Sequence, residues 1–452
     1  MEKTVCELFA GVGGFRCGLN SIKTIEDLDK PEKWNTVWFS QWEPGKKAQW
    51  AHDCYLNHFG PSIDLAGEST TNIDINEVDK THIPDHNLLV GGFPCQDYSV
   101  ARSLNGAQGI EGKKGVLWWS IRDVIQAKNP PFILLENVDR LLKSPASQRG
   151  RDFGVILSCL QDEGYIVEWR VVNAADYGYV QRRRRTFIFA YNRETRFAKD
   201  LVANLENDII SISDVFNKSG FFAKAFPIKE IDEKHIKVPA VISQDVYEVS
   251  EHFSYLFENS GFMVNGIAYS VKTEPVDCEP TLLGDILETD KVDNKYFIPE
   301  ERLYYTNLSV KSSDETESKL PESDRKTWQY LKGGKKILRK AANGHEYVYA
   351  EGPMPMFDEW NAPARTMLTS EGSFNRSTHI TRDKLTGKPR ILTPIETERI
   401  QGFPDNWTKE CLVNDELVPM PERTRYFCMG NALVVNLIEQ MEPVICELIE
   451  FE

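Results

Sequence analysis

Short apolar runs alternate with amphipathic stretches through the first 195 residues, and that alternation restricts the possible folds more than any other feature of the chain. Candidate strands are Thr4 to Phe9, Thr36 to Ser40, Leu88 to Val90, Phe132 to Leu135, Tyr165 to Val171 and Thr186 to Ala190. Between them, segments such as Gly115 to Ala127 and Gly154 to Glu163 repeat apolar residues at helical spacing and end near Gly or Pro. Strands separated by helices pair in parallel, because a crossover needs a dozen residues or more. The expectation is an α/β fold, a doubly wound and mostly parallel sheet with helices on both faces. From about Asn192 periodicity weakens and charge rises, and polar stretches such as Ser312 to Asp324 read as exposed loops. A second, smaller and irregular domain is expected there, with Tyr347 to Tyr349 and Ala364 to Leu368 as short strands. Thr393 and Pro394 open a predicted helix to Ile400 with acids in its first turn, and Val434 to Ile449 has helical periodicity suited to packing back on the first domain.

A chain of 452 residues with 41% hydrophobic residues suits two soluble lobes, and no apolar run approaches the roughly 20 residues that span a bilayer. The N-terminus is acidic where a secretion signal needs a basic and then an apolar region, so a cytoplasmic location is expected. Nine scattered cysteines without a Cys-x-x-Cys pair or a Cys/His cluster fit reduced thiols and no metal. The net charge of -15 by itself argues against a polyanionic partner. Lys and Arg nevertheless cluster at Arg182 to Arg185, Lys332 to Lys340 and Arg376 to Arg390, which leaves room for a basic cleft on an acidic molecule.

Five segments carry chemistry. Glu7-Leu8-Phe9-Ala10-Gly11-Val12-Gly13-Gly14-Phe15 turns the first strand into the first helix, where glycines let backbone approach a ligand; alone it fits a tight structural turn, a dinucleotide site or another adenosyl site. The second strand ends at Gln41-Trp42-Glu43, an aromatic ring beside a carboxylate, which suits adenine and ribose or simply a surface acid beside a half-buried Trp. Gly91-Gly92-Phe93-Pro94-Cys95-Gln96 follows an apolar strand, and Pro94 stiffens the loop that carries the Cys95 thiol; a lone cysteine is more often buried and inert. Glu136-Asn137-Val138 ends the fourth strand, placing a carboxyl group where burial raises proton affinity, or where it serves as a helix-terminal acid or ion-pair partner. In Gln181-Arg182-Arg183-Arg184-Arg185, alternation sends Arg183 and Arg185 to one face, toward a cleft, whereas most charge runs are only solvated.

The glycine loop at Phe9 to Phe15, Phe93-Pro94-Cys95-Gln96, Glu136-Asn137-Val138, the Gln-x-Arg-x-Arg run, Glu398-Arg399-Ile400-Gln401-Gly402-Phe403-Pro404 and Gly430-Asn431-Ala432 occur in one order. In that order the chain resembles the bacterial-type DNA cytosine C5-methyltransferases of restriction-modification systems over nearly its whole length. The resemblance implies methyl transfer from S-adenosyl-L-methionine to C5 of a flipped-out cytosine in double-stranded DNA, leaving S-adenosyl-L-homocysteine. Cys95 would attack C6, Glu136 would protonate or hydrogen bond N3, and Arg183 and Arg185 would hold the cytosine O2 and a nearby phosphate. Cofactor contacts are implied at Phe9, Gly11, Gly13, Trp42, Asp74, Ile75, Pro94, Leu117 and Asn431. The family's acid before the aromatic residue is Gln41 here, leaving the ribose to Gln41 or Glu43. The resemblance divides the chain into a catalytic and cofactor-binding domain (1–197), a target-recognition domain (198–410) and a C-terminal segment packing back (411–452). The loop Ser99 to Gly115 is read as a lid, with Lys113 and Lys114 meeting phosphate. Lys335, Lys336, Thr366 and Arg376 are candidate DNA contacts. A monomer and a partner endonuclease sharing the same site complete the expectation. An RNA methyltransferase, a catalytically silent DNA-binding protein and, on the glycine loop alone, a nicotinamide oxidoreductase are the competing readings.

Overall fold

The computed structural model describes residues 1–93, 117–305, 322–340 and 344–452, without the side chain of Ile337. Pro94, Cys95, Lys113, Lys114, the loop Ser99 to Gly115 and most of Ser312 to Asp324 lie outside these residues.

Strands β1 (Thr4–Leu8), β2 (Asn35–Ser40), β3 (Leu88–Gly92) and β4 (Phe132–Val138) form a parallel ladder in the order β2-β1-β3-β4. In β3 and β4 consecutive residues are apolar because both faces of the sheet are covered. Leu88, Val90, Phe132 and Leu134 enter one apolar core, and Leu89, Ile133 and Leu135 enter the other. Helices α1 (Gly14–Leu19), α2 (Trp50–Phe59), α3 (Leu117–Lys128) and α4 (Arg151–Asp162) fill the connections. The order places β1 between β2 and β3, so the chain leaves β1 in one direction and returns to its other side. Ligand crevices open at such a switch point, beyond the carboxyl ends of the strands.

Beyond β4, neighbouring strands alternate in direction. β5 (Tyr165–Asn173) and β6 (Arg184–Asn192) form an antiparallel pair, and β6 lies between β4 and β5. The connection between them is too short for a crossover, which forces the reversal. The reversal also puts the amino end of β6 beside the carboxyl end of β4, with Arg185 opposite Val138. β7 (Ala240–Val241), β8 (Ser260–Val264) and β9 (Ile267–Val271) extend this sheet from β5, although sequence character placed their residues in the second domain. They cover the otherwise open edge of β5. Gly261 is required there, since a Cβ would stand 1.8 Å from the Trp169 ring.

The smaller lobe holds a hairpin of β10 (Lys335–Lys340) and β11 (Glu346–Glu351), which contains the predicted Tyr347 to Tyr349 strand. Ala364 to Leu368 is not a strand: Ala364 makes an isolated bridge to Gln181, and the Met367 amide donates to the Gln181 side chain instead of to a ladder. Helix α5 (Arg196–Glu206) precedes this lobe, and α6 (Pro394–Gln401) follows it with the Thr393–Glu396 capping box that its sequence implies. After α7 (Glu422–Asn431), α8 (Val435–Phe451) returns to α1, where a Cβ on Gly18 would lie 2.5 Å from Ile438. Among the described residues no helix is long and apolar enough to cross a membrane.

Candidate active site

A cavity of about 530 Å³ opens where the carboxyl ends of β1 to β4 meet the start of β6 and the end of α7. Its size lies within the range of small-molecule sites. The loop after β1 is held from three sides: the Ala10 amide donates to the Ser40 carbonyl (2.9 Å), the Gly11 amide to Gln41 Oε1 (2.7 Å), and Trp407 Nε1 to the Val12 carbonyl (2.8 Å). Gly11 has φ +57° and nothing within 4 Å of the place a Cβ would occupy, so bare backbone faces the cavity. Trp42 is 37% exposed and presents its ring to the cavity. Glu43 also lines it; burial pushes its carboxyl up, Lys46 partly opposing, and the carboxylate accepts no hydrogen bond among the described residues.

The opposite wall carries the polar groups. Glu136 and Arg185 form an ion pair, Oε1 to Nε 2.7 Å, with both side chains mostly buried. Gly92 makes room for it, since a Cβ there would stand 3.3 Å from Glu136 Oε2. Asn137 is buried and donates from Nδ2 to the Phe93 carbonyl (2.9 Å), fixing the last described residue before the Pro94-Cys95 segment. Arg183 is 1% exposed and donates to the Met367 carbonyl (3.0 Å) and the Gly430 carbonyl (3.1 Å), joining β6 to the small lobe and α7. Burial, and the neighbouring Arg185 charge, push its guanidinium down to about 9, so it stays protonated at neutral pH. Gln181 and Gln401 continue this junction, Gln181 Nε2 donating to Gln401 Oε1 (3.2 Å) and Gln401 Nε2 to the Met429 carbonyl (2.5 Å).

Of the residues expected from sequence, Phe9, Gly11, Trp42, Glu43, Leu117, Glu136, Arg183, Arg185 and Asn431 all line this one cavity. Among the described residues three cofactor candidates do not. Gly13 caps α1 with φ +90° and packs on Phe59, which a Cβ would approach to 2.6 Å. Asp74 caps the turn Ile75–Glu77, its Oδ1 accepting from the Asn76 amide (3.0 Å) and side chain (2.8 Å), while Ile75 is buried in the core. In the small lobe, Lys335 and Arg376 both pair with Glu351 at the base of the hairpin, and Lys336 is exposed. Thr366 Oγ1 donates to the Arg182 carbonyl (2.5 Å) beside the arginine run. Sequence reasoning missed Asn137, Trp407, Arg140 and the Gln181–Gln401 contact. Asn137 sits inside a motif already singled out, whereas nothing local marks Trp407.

The family model for C-5 cytosine-specific DNA methylases matches residues 3–446. The chain is 45% identical to the Type II methyltransferase M.Sau3AI of Staphylococcus aureus, over 97% of this chain and 94% of that one. It is 25% identical to the Type II methyltransferase M.SsoII of Shigella sonnei, over 98% of this chain and 80% of the relative. Among solved structures, the S. pombe Dnmt2 methyltransferase superposes with a TM-score of 0.51 at 15% identity, covering 99% of this chain and 98% of that one, which attests to the fold alone. With a full-length family match and a full-length relative at this identity, the chain belongs to the C-5 cytosine-specific DNA methylase family, as a DNA cytosine-5-methyltransferase of the restriction-modification type.

Proposed function

We propose that the cavity holds S-adenosyl-L-methionine next to a cytosine extruded from a specific site in double-stranded DNA, and that Cys95 is the nucleophile. The observation that carries this reading is the Glu136–Arg185 pair opening into the same cavity as the Gly11 backbone and the Trp42 ring. The residues present fit the cofactor: bare backbone at Gly11, an exposed indole at Trp42, and polar groups at Glu43 and Asn431. Trp42 would stack on adenine, Phe9 and Leu117 would close on its apolar edges, and Asn431 would meet the amino-acid end. Asp74 and Ile75 would reach the adenine only from outside the cavity lining, and Gly13 serves by shaping the loop. Bound adenosylmethionine supplies an electrophilic methyl group.

Cytosine C6 is a poor electrophile until N3 is protonated or hydrogen bonded. Glu136 provides that at N3, and Arg185, already fixed by Glu136, reaches O2. The Cys95 thiolate then forms a bond to C6, and the ring electrons moved to C5 take up the methyl group. Loss of the C5 proton returns an electron pair to the ring and expels the Cys95 sulfur, restoring aromaticity and free enzyme. Pro94 would stiffen the loop, and Asn137 holds its root at Phe93. Arg183 positions the wall, its two terminal nitrogens donating to the Met367 and Gly430 carbonyls.

On this reading residues 1–197 carry the chemistry, with β7 to β9 completing their sheet. Target recognition belongs to the rest of 198–410, and 411–452 closes the cofactor side. Lys113, Lys114 and Lys336 would meet phosphate, Thr366 would stand near the extruded nucleotide, and Lys335 and Arg376 would brace the hairpin base. One cavity and one recognition lobe make a cytoplasmic monomer sufficient, and an endonuclease cutting the same site is the fitting partner. Incubation with tritiated adenosylmethionine and mixed-sequence duplex DNA, beside Cys95→Ala, tests the reading by nucleoside analysis. Label in 5-methylcytosine that disappears in the variant supports it. Label on adenine, on cytosine N4 or on RNA alone would overturn it.

A further inference from the structure

We propose that Arg140 grips a DNA backbone phosphate flanking the extruded cytosine, an inference that rests on the function just proposed. Among the described residues three arginines line the cavity, Arg140, Arg183 and Arg185. Arg183 is buried and donates to two carbonyls, and Arg185 is held by Glu136. Arg140 is exposed and makes no ion pair or hydrogen bond among the described residues. Its place is nevertheless fixed. It lies four residues past Glu136 on the turn Asp139–Lys143, with Leu141 and Leu142 buried behind it, the Ser144 amide donating to the Leu141 carbonyl (3.2 Å), and Asp139 paired with Arg184 (3.4 Å). An anchored turn thus holds an uncommitted guanidinium at the cavity mouth of a chain whose net charge is -15. A base rotated out of the helix brings its own flanking phosphates to that mouth, and a guanidinium binds phosphate oxygens through two parallel hydrogen bonds. A freely solvated surface arginine would have none of the consequences below.

The experiment uses the full-length enzyme after bisulfite sequencing has located its methylated cytosine. Steady-state rates are measured for wild type, Arg140→Ala and Arg140→Lys across salt concentrations. The substrates include duplexes carrying one uncharged methylphosphonate at each phosphate around the target. Arg140→Ala should raise KM for DNA by about tenfold to a hundredfold, as loss of a charged hydrogen bond does. It should leave S-adenosyl-L-homocysteine affinity and Tm unchanged. The dependence of log K on log salt should flatten by roughly one phosphate contact, and Arg140→Lys should restore most of that slope. One methylphosphonate should cost the wild type as much as Arg140→Ala does and cost that variant nothing more. Arg140→Ala with unchanged KM and salt slope, or as sensitive as wild type to every methylphosphonate, overturns the proposal while leaving the methyltransferase reading intact. A wild-type enzyme that labels no cytosine in duplex DNA overturns both.

Discussion

Replacing Arg183 by Met keeps much of the aliphatic stem and removes the guanidinium, and so separates positioning from catalysis at this residue. The wild-type guanidinium satisfies the Met367 and Gly430 carbonyls at 3.0 and 3.1 Å, deep in the junction between β6, the small lobe and α7. Stranding two buried carbonyls costs about 1–3 kcal/mol each, and no longer burying a charge returns part of that, so a net loss of about 2–4 kcal/mol is expected. Unfolding entropy scales with length, near about 1 kcal/mol/K for a chain of 452 residues, which translates to a Tm about 2–4 °C lower. Gly430 leaves no slack, since even a Cβ on it would come within 2.4 Å of the Thr369 amide, so the junction cannot close over the loss. Scanning calorimetry and urea titration measure the stability. Adenosylhomocysteine binding and single-turnover methylation measure what remains of the site. Stability and cofactor affinity should fall together with the rate. A variant as stable as wild type that binds cofactor normally but transfers methyl a thousandfold more slowly would refute the positioning role and place Arg183 on the substrate.

Asn137→Ala releases the Phe93 carbonyl that now accepts at 2.9 Å, and kcat should drop about tenfold to a hundredfold with cofactor affinity nearly unchanged; an unaltered kcat would disconnect Asn137 from the Cys95 segment. Trp407→Phe removes the donor to the Val12 carbonyl while keeping a ring for His58 to stack on, so calorimetry should read adenosylhomocysteine binding weakened about fivefold to tenfold, and equal binding would free the glycine loop from that brace. Glu7 lies buried under the same loop, with one carboxyl oxygen accepting from Tyr55 (3.1 Å), and burial, partly opposed by the Arg16 charge, pushes its pKa up to about 7. The folded-state pKa therefore exceeds the unfolded one. Its stabilising contribution is complete below about pH 4.5 and is lost as pH rises through 7. Glu7→Gln, fixed neutral, should gain up to about 3 kcal/mol on wild type between pH 5 and pH 8, read as a widening Tm difference; a flat difference across that range would mean the carboxyl does not titrate there.

Local pattern was enough for the first six strands and for helices α3 and α4, because apolar runs that must be covered on both faces stand out from sequence whatever packs on them. The site residues Gly11, Trp42 and Glu136 were legible for a related reason: a parallel sheet exposes the carboxyl ends of its strands, so residues at or just past those ends share one edge. Direction and reach were not legible. Nothing in Tyr165 to Ala190 says that β6 inserts antiparallel between β4 and β5, yet that insertion alone brings Arg185 to Glu136. Strands β7 to β9 read as part of another domain because strands that short, set in polar sequence, declare themselves only when an existing edge accepts them. The division of labour among the arginines was equally hidden. Arg183 is bound to a carbonyl 247 residues away, and Trp407 braces one 395 residues away. Side-chain identity and spacing mark a donor in the sequence, but a backbone carbonyl looks the same at every residue, so only the tertiary structure decides which of them that donor meets.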